Sequence, residues 1–192
     1  MNAKPKVLLA GDSISMGYGP LVKARMEAAC DVLPANGGTS ANLLANFEAW
    51  FTTPGFDLIH VNCGLHDLAR DRDKTGTRLG LEVYEANLRT LFRRLREETR
   101  SRLAWATTTP VIDARHAERK GFDRHERDVQ AFNAAGLKAA AEAGLSVDDL
   151  HAVVVSAGTE ACVGPDGVHM TDGGYAVLAD AVAGFVTGLL KR

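Results

Sequence analysis

The sequence predicts an α/β protein with a three-layer α/β/α sandwich, in which helices cover both faces of a parallel sheet. Short apolar runs alternate with longer segments of helical periodicity along the chain, which is the pattern of repeated strand–helix–strand units. The chain has 192 residues, of which 46% are hydrophobic, so it is large enough to bury a core. No internal repeat, linker or low-complexity tract divides it, and we therefore expect one domain over residues 1–192.

The first half of the chain predicts three strands and two helices. The apolar run at residues 6–10 predicts the first strand, and the next helix has Pro20 in its first turn, where proline is favoured. A brief strand is predicted at residues 31–34. The following helix has Ser40 as its N-cap and places apolar residues at helical spacing, namely Leu43, Leu44, Phe47, Trp50 and Phe51. Residues 57–62 predict the third strand.

The second half continues the alternation with two more strands. A helix is predicted at residues 83–99 and the fourth strand at residues 102–107. The next helix covers residues 125–143 and ends at Gly144, which stands where a C-cap glycine is expected. Its predicted core face consists of Val129, Phe132, Gly136, Leu137 and Ala140. The fifth strand is a short piece at residues 145–147.

The last predicted helix begins after Thr171 and Asp172 and carries a long apolar face. In an open parallel sheet, ligands bind outside the carboxyl ends of the strands. The loops of functional interest are therefore those that follow the five predicted strands, after Ala10, Pro34, Asn62, Thr107 and Val147.

Charge and hydropathy exclude several classes of partner. The formal net charge is −2, which gives no large field of one sign, so neither a nucleic-acid partner nor an anionic membrane is expected. No apolar run reaches the roughly 18 residues that span a bilayer. The apolar run near the N-terminus is too short for a signal-peptide core, so we expect a cytoplasmic protein unless a signal peptide has been removed.

The cysteines and histidines predict neither a disulfide scaffold nor a metal site. The chain has three cysteines, an odd number, and their spacing fits no metal pattern; they are Cys30, Cys63 and Cys162. We expect them to be reduced and mostly buried. The histidines show no spacing of metal ligands either, so no metal and no cofactor is predicted.

The loop after the first strand holds a candidate nucleophile. It has the sequence Gly11-Asp12-Ser13-Ile14-Ser15, and Ser13 stands at the turn between a strand and a helix. This position exposes a hydroxyl at the ligand end of the sheet and near the N–H groups of a helix start. The alternative is a serine that only caps the helix. Ser15 is a rival nucleophile, but no Gly-Asp precedes it.

The loop before the last helix supplies a candidate base. A serine nucleophile needs a base, and that base needs a group that fixes its tautomer. In this loop Asp166 and His169 are three residues apart on a predicted turn, so the carboxylate can bind one ring nitrogen while the other faces Ser13. An isolated Asp-x-x-His is weak evidence, but its place ahead of a C-terminal helix strengthens it.

Two more loops carry candidate donors to an oxyanion. Gly38 follows the second strand, and a glycine lets a backbone N–H approach a substrate closely. The segment Asn62-Cys63-Gly64-Leu65-His66-Asp67 directly follows the third strand and offers side-chain donors. Asp12, Asn62 and Asp67 are accordingly predicted to line the site.

These blocks resemble the SGNH (GDSL-like) hydrolase superfamily, in which Ser, Gly, Asn and His occur in four blocks in that order. Gly11-Asp12-Ser13 resembles the first block, Gly38 the second, Gly64-Leu65-His66-Asp67 the third, and Asp166-Gly167-Val168-His169 the last. The resemblance extends from Val7 to Tyr175. It implies a flavodoxin-like sheet of strand order 2-1-3-4-5 and a metal-free esterase or lipase mechanism. In that mechanism Ser13, His169 and Asp166 are the catalytic residues.

The third block departs from the usual family pattern. The family usually has Gly-x-Asn-Asp there, whereas this chain has His66 in place of the asparagine and resembles a bacterial subset with the same substitution. A neutral imidazole can still donate one N–H, so the predicted oxyanion hole consists of Ser13, Gly38 and His66. Asn62 is an alternative donor. A third possibility is that His66 only bonds Asp67 or the backbone.

We therefore predict a serine esterase that acts on a small-molecule ester. The charged loops at residues 70–80 and 112–124 are too polar for a lipase lid. They are either ordinary solvent-exposed loops or a polar rim that suits a short-chain or O-acetyl ester of a polar compound such as a carbohydrate. The alternatives are a lysophospholipase or thioesterase, a non-catalytic binding module on the same fold, and a flavodoxin-like nucleotide or flavin binder. The sequence leaves the ester's identity and the oligomeric state open.

Overall fold

A computed structural model describes residues 4–192 and confirms the α/β fold. In chain order the strands are β1 (Lys6–Ala10), β2 (Ala29–Val32), β3 (Leu58–Val61), β4 (Arg70–Asp71), β5 (Arg102–Ala106), β6 (Phe122–Asp123) and β7 (Ser146–Asp148). The helices are α1 (Ser13–Arg25), α2 (Ser40–Ala45), α3 (Phe47–Phe51), α4 (Leu81–Glu98), α5 (Asp113–Arg119), α6 (Glu126–Ala143), α7 (Leu150–Ala157), α8 (Thr159–Cys162) and α9 (Asp172–Leu190).

Five of the strands form one parallel sheet of order β2-β1-β3-β5-β7. Because β5 and β7 are the fourth and fifth strands of the sequence prediction, this order confirms the predicted 2-1-3-4-5. Helices α1, α7 and α9 pack together on one side of the sheet, and α2, α4 and α6 pack on the other. The order reverses between β1 and β3, which is the point where open α/β sheets bind ligands.

The core lies between the sheet and its two helical layers. The central strands β1 and β3 are almost completely buried, as expected for parallel strands covered on both faces. Among helices of residues 4–192, α9 alone is long and apolar enough to cross a membrane. Its side chains Leu178, Val182 and Val186 are buried in the core, and a core helix has the same composition.

The start of α1 differs from the prediction. The helix begins at Ser13 because the Asp12 side chain caps it by accepting the Ile14 N–H, at 3.0 Å. Pro20 therefore lies inside the helix and not in its first turn. The start of α2 also differs, because Thr39 is its N-cap and accepts the Asn42 N–H, while Ser40 is already helical.

Two further predictions about packing and register were wrong. The second strand is Ala29–Val32 and not residues 31–34, because Lys6 pairs with Ala29 and Leu9 with Val32, and Pro34 has no N–H for the ladder. Leu137 is 41% exposed, because Gly136 takes the position that faces the sheet and its neighbour turns towards solvent. The predicted C-cap Gly144 is confirmed, with φ at 65°.

The two charged loops contain a small sheet that the sequence did not indicate. Strands β4 and β6 pair antiparallel, with Arg70 opposite Asp123 and Asp71 opposite Phe122. Arg70 also binds Asp128 on α6 through two hydrogen bonds, of 2.6 and 2.9 Å. The loops after β3 and β5 are therefore joined to each other as a polar rim beside the carboxyl ends of the strands.

Candidate active site

Ser13 is the first residue of α1 and directly follows the end of β1. The short link Gly11-Asp12 turns the chain, and the Asp12 carboxylate fixes the turn by capping the helix. Ser13 is partly buried, whereas its neighbour Ser15 is 1% exposed and donates to the Asp12 carbonyl. The hydroxyl that faces the ligand end of the sheet is therefore that of Ser13, and the N-terminus of a helix lies beneath it.

The structure brings Ser13, His169 and Asp166 together. Ser13 Oγ lies 2.9 Å from His169 Nε2, although the residues are 156 positions apart in the chain. His169 Nδ1 lies 2.6 Å from Asp166 Oδ2. With Nδ1 protonated and bonded to the carboxylate, Nε2 is free to accept the serine proton, which is the arrangement of a nucleophile with its base and orienting group.

Hydrogen bonds keep Asp166 ionised. Burial opposes its ionisation, but the His169 side chain and the backbone N–H groups of His169 and Val168 donate to the carboxylate, and together they lower the pKa of Asp166 to about 2. The carboxylate is therefore negative at neutral pH. The His169 side chain is 43% exposed, so the dyad of serine and histidine is open to solvent on one side.

The loop with Asp166 is supported from the segment at residues 112–124, which the sequence marked only as charged. The Ile112 N–H donates to the Gly167 carbonyl at 2.8 Å. The buried His116 of α5 has its Nδ1 3.2 Å from the Asp166 carbonyl oxygen. Burial lowers the pKa of His116, so a neutral imidazole with its proton on Nδ1 donates to this carbonyl. Nothing in the sequence marks these contacts, because the partners are about fifty residues apart.

Gly38 lies in the loop after β2 with φ at 63°, a left-handed conformation that favours glycine. Its N–H donates to Asn36 Oδ1 at 2.9 Å. The neighbouring Gly37 N–H donates to the Gly11 carbonyl at 2.8 Å, which ties this loop to the turn that carries Ser13. The geometry thus places Gly38 beside the nucleophile's loop, with its N–H bonded within its own turn.

His66 stands in the loop after β3 with a partly buried imidazole. Among residues 4–192, no partner forms a hydrogen bond with this ring, so the interpretation that it merely bonds Asp67 finds no contact. Burial lowers the pKa of His66, the nearby Asp12 raises it, and Arg124, Arg78 and His169 lower it further. The ring is therefore neutral at pH 7, with one N–H to donate.

Asn62, the alternative donor, is engaged elsewhere. Its Nδ2 donates to Asp12 Oδ1 at 3.2 Å, and the residue is 6% exposed. Asp12 itself is 1% exposed. The pair therefore supports the turn that carries Ser13, whereas the His66 ring has no hydrogen-bond partner among residues 4–192.

Asp67 lies beneath the site and does not line it. Its carboxylate is fully buried and accepts the Ser40 N–H at the start of α2, at 2.9 Å. The Ser40 hydroxyl donates to the same oxygen. Burial raises the pKa of Asp67 to about 6, against the hydrogen bonds from Ser40 that lower it. Asp67 thus connects the loop after β3 to α2.

The described part of the chain offers no group of three or more His, Cys, Asp or Glu side chains that could hold a metal. The three cysteines, Cys30, Cys63 and Cys162, are free and buried. Burial strongly raises the pKa of Cys63, which keeps this neighbour of the site loop as a thiol and makes it a poor nucleophile.

Comparisons with known proteins identify the family of this chain. Residues 9–177 match the model of the GDSL-like lipase/acylhydrolase family. That range contains Ser13, Gly38, His66, Asp166 and His169. The comparison with curated proteins found no match.

Solved structures share the fold at low sequence identity. A lipase/acylhydrolase from Enterococcus faecalis has a TM-score of 0.75 and 19% identity, with 96% of each chain covered. The acetyl xylan esterase AlAXEase has a TM-score of 0.76 and 18% identity, covering 94% of this chain and 99% of that one. An acylhydrolase described as putative, from Bacteroides fragilis, has a TM-score of 0.76 and 20% identity, covering 97% and 91%. With the family match over most of its length, the chain belongs to the GDSL-like lipase/acylhydrolase family of SGNH hydrolases.

Proposed function

We propose that this protein is a serine ester hydrolase that acts through an acyl-enzyme on short-chain or O-acetyl esters of polar compounds. The observation that carries the proposal is the chain of contacts from Ser13 Oγ through His169 to Asp166, with distances of 2.9 and 2.6 Å. Its geometry is that of a nucleophile, a base and a group that fixes the tautomer of the base.

In the first half of the reaction, Ser13 Oγ attacks the ester carbonyl while His169 Nε2 takes the hydroxyl proton. Asp166 holds the ring by its Nδ1–H and stabilises the imidazolium. The negative oxygen of the tetrahedral intermediate accepts hydrogen bonds from the N–H groups of Ser13 and Gly38 and from His66. The intermediate collapses, the ester C–O bond breaks, and His169 returns the proton to the departing alcohol.

In the second half, water hydrolyses the acyl-enzyme. His169 removes a proton from the water, and the resulting hydroxide forms a bond with the acyl carbon. A second tetrahedral intermediate then expels Ser13 Oγ, which regains its proton from His169. The carboxylic acid leaves, and the site returns to its starting protonation state.

The surroundings of Ser13 support a polar substrate. His66, Arg78 and Arg124 lie on the side formed by the loops after β3 and β5, and these loops are held by ion pairs such as Arg72–Asp123 and Arg78–Asp71. One structural neighbour is named an acetyl xylan esterase, which fits an acetyl group on a hydroxylated compound. We infer from both that the acyl group is short and the alcohol part polar.

The test is labelling combined with turnover. A fluorophosphonate should label Ser13, and Ser13→Ala should lower kcat/KM for 4-nitrophenyl acetate by about 10³-fold or more, because the nucleophile is lost. Ser15→Ala is the matched control, since this buried serine bonds only the Asp12 carbonyl and should leave turnover within about threefold of the wild type. Peptide mapping of the label and a panel of acetyl to octanoyl esters, including acetylated sugars, provide the measurements. Undiminished hydrolysis by Ser13→Ala would contradict the proposal.

A further inference from the structure

Arg124 is a buried cation without a carboxylate partner. It lies between β6 and α6 and is 6% exposed. Its Nε donates to the Leu65 carbonyl at 2.6 Å. Within residues 4–192, the two terminal nitrogens of the guanidinium form no hydrogen bond, and no ion pair includes them. Arg70, Arg72 and Arg78 in the same region each bind an aspartate.

Contacts place this guanidinium between the loop with His66 and the loop with Asp166. Leu65, which it binds, directly precedes His66. The guanidinium lies over the Phe122 ring, with Cζ 4.9 Å from the centroid, and Arg78 lies over the same ring at 4.5 Å. The ring of His116, which supports the Asp166 loop, meets Phe122 edge-on at 5.2 Å. Arg124 therefore lies between the loop that carries His66 and the residues that support the Asp166 loop.

Electrostatic coupling to the catalytic loops agrees with that position. Burial lowers the pKa of Arg124 to about 10, while Asp12 and Asp166 raise it and Arg78 lowers it. The side chain therefore still carries its charge at neutral pH. Arg124 in turn lowers the pKa of His66. The positive charge thus lies within reach of both the predicted oxyanion donor and the Asp166 loop.

The positive charge of Arg124 would be stabilised by a negatively charged partner. Removing a cation from water costs several kcal/mol unless a partner and hydrogen bonds compensate it, and buried arginines are normally paired. The Leu65 carbonyl satisfies one of the five N–H groups that a guanidinium carries. The other donors form a planar fork, and that fork matches the two oxygens of a carboxylate.

We propose that Arg124 is the anion subsite of this enzyme, with Arg78 behind the Phe122 ring, and that the ester it hydrolyses carries a carboxylate group. The proposal rests on the proposed ester hydrolysis and narrows its substrate class. A carboxylate matches the single positive charge of Arg124, whereas a phosphate dianion would bring a second negative charge close to Asp12 and Asp166. Arg124 is thus a specificity residue that binds substrate beside the reacting ester.

The test compares esters that differ only in charge. On the alcohol side these are 4-acetoxybenzoate and its neutral methyl ester, and on the acyl side the 4-nitrophenyl monoester of adipic acid and its methyl ester. In at least one pair, the wild type should prefer the carboxylate by about tenfold or more in kcat/KM, as expected for a charge-assisted hydrogen bond. Arg124→Met should bring that ratio close to one. Arg93→Met removes an equal charge from the exposed face of α4, where Arg93 pairs with Glu97, and should leave the ratio unchanged.

The ratio of kcat/KM for the charged and the neutral ester distinguishes a residue that binds the substrate from one that only supports the fold. If Arg124 only holds the Leu65 loop in place, Arg124→Met will lower turnover of both esters by the same factor, and the proposal fails. A wild type without preference in either pair overturns it as well.

Ligand binding gives a readout that does not depend on ester hydrolysis. Two pairs of ligands match the two sides of the ester: 4-hydroxybenzoate with 4-hydroxybenzamide, and adipate with adipamide. In at least one pair the acid should raise the Tm of the wild type more than the amide does, and Arg124→Met should abolish the difference. The anion subsite is then supported even if no ester is turned over, whereas equal shifts for acid and amide in both pairs overturn it.

Discussion

His66 is the proposed side-chain donor to the oxyanion, and its protonation state determines what it can donate. The lowered pKa leaves a neutral ring with a single N–H. If that N–H stabilises the intermediate, His66→Ala should lower kcat by about 10²–10³-fold, the loss seen on removal of one oxyanion donor. Steady-state kinetics with 4-nitrophenyl acetate between pH 7 and 9 measures the effect, which should stay constant there because the ring remains neutral.

The asparagine of the usual family pattern provides the matched variant. An amide at position 66 keeps a donor but cannot be protonated, so His66→Asn should retain far more activity than His66→Ala. A loss below threefold in His66→Ala would mean that the imidazole has no part in the reaction. Equal losses in both variants would instead indicate that the ring is needed for packing.

The sequence could predict a functional role only for residues that stand in a local sequence pattern. Asp166 and His169 are three positions apart, and Ser13 follows a strand directly, so each can be proposed without knowledge of the fold. Arg124 and His116 could not be found this way, because their importance depends on partners such as the Leu65 and Asp166 carbonyls, about fifty or more positions away. The sequence marked the loop at residues 112–124 only as charged.

Helix α6 packs closely against strand β5 because Gly136 has no side chain. A Cβ added to Gly136 would lie 2.2 Å from the Trp105 ring, whereas one added to Gly184 on α9 would meet no atom within 4 Å. Gly136→Ala should therefore destabilise the fold by about 1–3 kcal/mol through overpacking. Gly184→Ala should stabilise it by up to about 1 kcal/mol through helix propensity. Urea unfolding of both variants measures the difference, and effects of equal sign would contradict the packing argument.

The contact between Asp67 and α2 predicts a pH dependence of stability. Because burial raises the pKa of Asp67 from 3.8 to about 6, the folded state binds more protons than the unfolded state between these values. The contribution of Asp67 to stability is therefore largest below pH 4 and falls as the pH rises to 6, by about 2–3 kcal/mol. Asp67→Asn should lack this decline, as urea unfolding from pH 4 to 7 would measure.

Two comparisons isolate the effect of Asp67. Asp73→Asn changes an exposed loop aspartate and should follow the wild type across the same range. Asp166 acts with the opposite sign, since its pKa is lowered to about 2 and its contribution is lost only as the pH falls below 4. A pH profile of Asp67→Asn parallel to that of the wild type would show that Asp67 is ionised without penalty.

The boundaries of the elements were less predictable than their existence. The sequence predicted Pro20 in the first turn of α1, whereas the helix begins at Ser13 under the Asp12 cap. A cap that forms immediately after a strand decides the start, and a proline farther along is then accepted inside the helix. The pairing of β4 with β6 depends on two loops about fifty residues apart and left no local pattern.

At the scale of the whole molecule, topology explains why distant residues meet. The loop after β1 carries Ser13 and the loop after β3 carries His66, and the sheet reverses its order between these two strands. A crevice forms at such a point, so Ser13 and His66 come to the same end of the sheet without a direct bond between them. The alternation of strands and helices was enough to predict the layered fold, because parallel connections are nearly always right-handed. The pairing of β4 with β6, which forms the polar rim, was not predictable from the sequence.

The hydrogen bond from the Gly38 N–H to Asn36 affects how strongly Gly38 binds the bound substrate and how strongly it binds the transition state. A neutral ester carbonyl offers the Gly38 N–H no more than the amide oxygen it already has, so this donor contributes little to substrate affinity. An oxygen with developing negative charge is the stronger acceptor and can draw the N–H away. Asn36 would therefore hold the Gly38 N–H until negative charge develops on the substrate oxygen. The stabilisation that Gly38 then provides would raise kcat and leave KM unchanged.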